Sequence, residues 1–204
     1  MRQIINGVIL LFLLPLSLQA QSEMGQKFVS GTIGFSDNQE FADGYQGIYG
    51  RSAIGYLISS RFAVGISLGH SYYTIDRLLS VGTTEIKEQT KLNNFNVAPF
   101  VSWFKPLTNK ITFNLSASVG YGTGHTKVTS LSSRSTAKST DIYVSITPSF
   151  YYLLSEKWAI GTSFGYLRYS KSKSTSSGTG ITENTNAFNF TIWNRVGLGC
   201  RYIW

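Results

Sequence analysis

The chain has a single cysteine, Cys200, so it cannot form an internal disulfide. That excludes a small exported domain held together by disulfides. His70 and His125 are the only histidines, and with Cys200 they are too few and too scattered for a zinc site. No metal or other cofactor is expected. Proline is rare, with four residues, and charged residues make up only 14% of the chain. A disordered, charge-rich segment has the opposite composition. Beyond residue 20 no run is apolar enough for a membrane-spanning helix, which needs about 20 residues. Acidic residues are scarce, and the net charge is +8. A basic balance can serve nucleic-acid binding. The export signal described next argues against that partner and for anionic lipid headgroups.

Residues 1–20 read as a secretory signal peptide. Met1 and Arg2 give a positive start, Val8 to Leu18 is apolar apart from Pro15 and Ser17, and cleavage is expected after Ala20. No cysteine follows the run, so a lipoprotein signal is excluded. An exported chain without a membrane helix can still span a membrane as a closed barrel. Residues 21–204 are long enough for eight strands of about ten residues with their connections.

Alternation supports that option. Phe62, Val64, Ile66, Leu68 and Tyr72 share one face of a strand, and Ala63, Gly65, Ser67, Gly69 and Ser71 the other. Ile111 to Tyr121 repeats the pattern, with Leu115 on the apolar face and Ser116 opposite. Further strands are predicted near 27–36, 50–58, 95–103, 142–150, 158–166 and 187–204. Brief turns fall at Ser59–Ser60, Lys105–Lys110 and Ser155–Lys157. Long polar loops are predicted over Asp37–Tyr49, Thr74–Thr90, Thr126–Ser139 and Lys171–Thr185. The predicted fold is all-β: an eight-stranded antiparallel up-and-down transmembrane β-barrel, with its short turns in the periplasm and its long loops outside the cell. A soluble β-sandwich has similar spacing, but its solvent face would be rich in Lys and Glu. Here the face opposite the apolar stripe is mostly Gly, Ser, Thr and Asn. Pro99 and Pro148 fall inside strands, and each should interrupt a ladder.

The C-terminal segment alternates in the same way: Val196, Leu198, Cys200, Tyr202 and Trp204 share one face. It resembles the signal that the barrel-insertion machinery reads, which makes Val196, Leu198, Tyr202 and Trp204 the candidate assembly residues and that machinery a partner. The chain as a whole resembles the OmpA/OmpX-like eight-stranded outer-membrane barrels, above all the outer-membrane β-barrel domain common in Bacteroidetes. The resemblance rests on Gly55–Ile58 and Phe62–Ile66 around a tight turn, the two proline-bearing strands, and Arg201–Trp204. It implies residence in the bacterial outer membrane and a structural or surface-interaction role. It brings no shared catalytic residues, and no further domain is expected after the barrel.

No catalytic constellation stands out, and the chain is not expected to be an enzyme. A lipid-modifying barrel would need His70 or His125 beside a serine near the outer leaflet, and serine is too common for such proximity to be informative. Gly120, Gly122 and Gly124 precede no helix, so they form no phosphate loop. Parity places Arg51, Asp141, Tyr143, Tyr151, Arg195 and Arg201 inside, where they should fill a lumen too narrow for an open pore. A small transport barrel is the remaining alternative. Parity puts Arg168 outward with Trp158, ten residues apart. At about 3.3 Å per residue and a 40° tilt that is a rise of about 25 Å, the height of the apolar band. Arg168, Lys171 and Lys173 are therefore the candidate contacts for lipopolysaccharide phosphates.

Overall fold

The computed structural model describes residues 24–38, 43–81, 84–130, 134–177 and 180–204, with side chains throughout except at 36–38, 43–45, 78–81, 84–87 and 191–197. Eight strands run in chain order: β1 (Lys27–Asn38), β2 (Asp43–Leu57), β3 (Phe62–Val81), β4 (Thr84–Pro106), β5 (Ile111–Thr129), β6 (Arg134–Leu153), β7 (Trp158–Ser176) and β8 (Thr182–Ile203). Each pairs antiparallel with the next, and β8 returns to β1, closing the barrel. The predicted fold is therefore observed. The signal-peptide segment lies outside the described residues.

The period-2 pattern decides which way each side chain points. Apolar side chains on the outward parity are open: Val119 is 54% exposed and Ile142 60%. Their neighbours on the other parity are buried, including Ala63, Ser67, Ala98 and Ser118. Such an inside-out distribution is stable only where lipid covers the exterior.

Three short turns share one construction. In each, an apolar residue is followed by Ser or Thr, one further residue, Lys or Arg, and another apolar residue: Ile58 to Phe62, Leu107 to Ile111 and Leu154 to Trp158. The hydroxyls of Ser59, Thr108 and Ser155 accept from the backbone N–H groups two and three residues on, at 3.0–3.3 Å. Side-chain capping of this kind satisfies turn amides that have no ladder partner.

The strands are far longer than alternation indicates. Most of the four segments expected to be long polar loops is paired β-structure. β3 and β4 stay in register up to Val81 opposite Thr84, and β5 and β6 up to Thr129 opposite Arg134. The reason is physical. Alternation marks only the part of a strand with lipid on one side, and a hairpin standing in water on both faces keeps its hydrogen bonds without an apolar stripe. The twenty residues of β3 rise about 50 Å on the same geometry, about twice the apolar band.

The prolines behave as expected. Pairing of β4 with β5 lapses between Val97 and Phe100 without a change of register, and β6 shifts register against β7 between Ile146 and Ser149. The matching irregularity on β7 lies at Gly165, whose φ of 110° favours glycine. Against β6, β7 carries one extra residue here, which inverts the parity of everything that follows on β7.

The lumen is not polar throughout. At the short-turn end, Phe28, Leu57, Ala63, Phe104 and Ile203 form a buried apolar cluster with Phe100 packed on it. Higher up, aromatic rings lie over glycines of the adjacent strand: Tyr49 on Gly34, Tyr73 on Gly47, Tyr143 on Gly120 and Tyr151 on Gly161. A Cβ at any of these glycines would occupy the space of the ring.

Candidate functional site

The outer surface at the short-turn end carries a row of aromatic contacts. Trp103, Phe113, Phe150 and Phe164 follow one another across β4 to β7 at centroid separations of 6.3, 5.3 and 5.2 Å. Trp158, Tyr202 and Trp204 continue the row at 4.9 and 5.9 Å. An aromatic row at this level, with Trp and Tyr among its rings, suits a membrane–water interface.

Among the described residues, the closing seam is the shortest pairing in the barrel. β1 and β8 match from Phe28 opposite Ile203 to Gly34 opposite Gly197. Lys27 and Trp204 then exchange two backbone hydrogen bonds, of 2.9 and 3.0 Å. Of the candidate assembly residues, Leu198 and Trp204 face outward, 69% and 49% exposed, and Tyr202 lies between Trp158 and Trp204. The side chain of Val196 lies outside those described. Replacing Trp204 by Asp removes the last ring of the row and puts a charge at the interface. The expected outcome is that this variant accumulates in the periplasm as unfolded protein. Normal membrane levels of the heat-modifiable folded form would contradict it.

Inside, three arginines occupy successive levels. Arg201 on β8 lies near the apolar cluster and is only 8% exposed. Its guanidinium stacks on Tyr151 at 3.9 Å and Phe28 at 4.4 Å, with Phe104 at 5.0 Å. Arg51 on β2 donates to Ser67 Oγ at 2.8 Å, and Ser67 donates onward to the Ala98 carbonyl at 3.1 Å. Arg168 on β7 pairs with Asp141 and stacks on Tyr143 at 3.8 Å. Tyr143 is held in turn by donation to Asn96 Oδ1 at 3.1 Å. A cavity of about 270 Å³ is lined by all three arginines. Among the described residues, Arg201 Nε and Asn114 Oδ1 are buried without a hydrogen-bond partner.

The sequence places Arg51, Asp141, Tyr143, Tyr151 and Arg201 in the lumen, and they are there. The Arg195 side chain lies outside those described. Arg168 corrects the outward reading: the bulge at Gly165 turns it inward onto Asp141, and Tyr166 with it onto the cavity wall. The same inversion turns Lys171 and Lys173 outward, opposite Ile142 and Thr140 of β6. The structure thus separates the three cations grouped by sequence. It brings others to Lys171 and Lys173 instead. Lys138 lies opposite His125, and Lys127 opposite Lys91, on the same outward parity of β4 to β6. Lys91 has no sequence signal, because its place depends on cross-strand register. His70 faces outward, and its Nε2 is 2.7 Å from Asn93 Oδ1. Ser71 lies on the opposite face, against the cavity. No group of three metal-ligating side chains occurs among the described residues.

No protein-family model matches the chain, and no curated protein does. Solved structures do. A major outer-membrane protein of Thermus thermophilus is 13% identical with a TM-score of 0.51, over 88% of this chain and 99% of that one. The outer-membrane protein OprG of Pseudomonas aeruginosa is 12% identical with a TM-score of 0.50, over 91% and 98%. At such identity the likeness concerns the fold. The chain therefore carries the fold of the small bacterial outer-membrane β-barrels, with the apolar exterior and interfacial aromatic row that a membrane location requires.

Proposed function

We propose that the protein is a structural, surface-presenting barrel of the bacterial outer membrane, without a catalytic site, whose outward lysines engage phosphates of the outer leaflet. The observation that carries this reading is the continuation of the strands as paired hairpins beyond the apolar band, with Lys91, Lys127, Lys138, Lys171 and Lys173 on one outward face of β4 to β7. Lysines at a membrane surface contribute about 1 kcal/mol each toward anionic lipid, so a band of five can orient the barrel and hold its rim. The non-catalytic reading is supported by His70, whose Nε2 is engaged by Asn93 rather than by a serine. The apolar cluster at the short-turn end argues against a through-pore.

The test compares the barrel with a Lys138→Gln, Lys171→Gln, Lys173→Gln variant, each reconstituted with neutral lipid and with lipopolysaccharide. Lipopolysaccharide should raise the unfolding temperature of the parent more than that of the variant, and added salt should shrink the difference. Equal stabilisation of both proteins would contradict the lipid contact. Arg168→Gln should leave the response to lipopolysaccharide unchanged, because its guanidinium points into the lumen.

A further inference from the structure

We propose that the lumen binds one small oxyanion, a carboxylate or inorganic phosphate, against the guanidinium of Arg51. Three arginines line the cavity, and among its lining residues there is no Asp or Glu. Asp141, which lies beside the cavity wall, is already taken by Arg168. Arg51 has a neutral partner in Ser67, and Arg201 is surrounded by aromatic faces. Among the described residues, no carboxylate pairs with either one. Positive charges gathered in a narrow lumen without a carboxylate partner favour a counter-charge in the same space. A guanidinium offers two parallel N–H donors, which match the paired oxygens of a carboxylate or phosphate better than a spherical halide.

Size and access agree. A cavity of about 270 Å³ has room for roughly nine waters at about 30 Å³ each, enough for phosphate or acetate with part of its hydration. The apolar cluster of Phe28, Leu57 and Phe104 seals the short-turn end. The ligand therefore enters from the hairpin end, and the lumen is a blind cup facing that side.

The experiment uses the folded barrel in detergent at constant ionic strength, with chloride replaced stepwise by acetate or by phosphate. A binding site gives a rise in unfolding temperature that begins near the dissociation constant and then grows with the logarithm of concentration, roughly 5–10 °C at a hundred times that constant. Which anion raises it at the lower concentration identifies the ligand class. Arg51→Gln should reduce the rise to the general salt effect, and Arg51→Lys should retain part of it. The general salting effect is shared by any variant, so the rise in Arg51→Gln measures it. Calorimetric titration of phosphate and acetate into the unaltered barrel provides a reading that does not depend on a variant folding, with one site expected. A rise equal in Arg51→Gln, or no heat of binding for either anion, would overturn the proposal.

Discussion

Leu115→Arg should weaken the folded barrel by about 2–4 kcal/mol, the cost of an arginine at the middle of a lipid-facing strand. Leu115 lies on the outward parity of β5, between Trp103 of β4 and Pro148 of β6. An arginine there has no partner within the apolar band and must reach toward an interface to find water or phosphate. Its neighbour Ser116 points into the lumen and lines the cavity. Ser116→Ala removes one hydroxyl from a polar wall and should cost about 1 kcal/mol or less. Reversible unfolding in lipid vesicles reads both. Similar small effects from the two would mean that β5 has no lipid-facing side.

The second large effect is expected inside. Gly120→Leu should destabilise the barrel by about 2–5 kcal/mol, combining overpacking with loss of a buried hydrogen bond. The ring of Tyr143 occupies the space that a side chain at Gly120 would need. Moving the ring breaks its bond to Asn96 and removes the face on which Arg168 stacks. Tyr143 is 6% exposed, and its ring can shift only into the cavity that it lines, away from these partners. Gly31 is the control: a Cβ there meets nothing within 4 Å, so Gly31→Ala should stay within about 0.5 kcal/mol of the parent. Denaturant titration of the three proteins separates crowding at Gly120 from any general effect of losing a strand glycine.

These two sites also show what is legible in the sequence. The outward row of Ile111, Phe113, Leu115, Val119 and Tyr121 is readable because lipid on one side forces a strict apolar parity. Gly120, Gly122 and Gly124 are readable only as an empty motif. Their role emerges from the partner strand, where Tyr143 and Asp141 fill the space opposite the first two. Parity misplaces Arg168 for a related reason. It counts residues, and one extra residue at Gly165 reverses the count without leaving a mark in composition. The hairpins beyond the membrane look like loops because water on both faces removes the apolar stripe while the backbone ladder continues. Parity places Arg51 and Arg201 in the lumen correctly, but their want of a carboxylate partner becomes visible only with the register of the strands. The apolar cluster around Phe28 and Phe104 escapes notice because alternation implies a polar interior along its whole height.

The account rests on a membrane band at the lower part of the barrel and on water-exposed strands above it. Accessibility of single spin labels tests this most directly. Cys200 is a free, exposed cysteine, so the labels are placed in a Cys200→Ser background. Leu115→Cys and Val144→Cys should be reached by oxygen dissolved in lipid and shielded from a water-soluble relaxation agent. Thr136→Cys and Lys173→Cys, also in paired strands, should show the reverse. A label at Leu115 that is open to the aqueous agent, or one at Lys173 buried in lipid, would contradict the account.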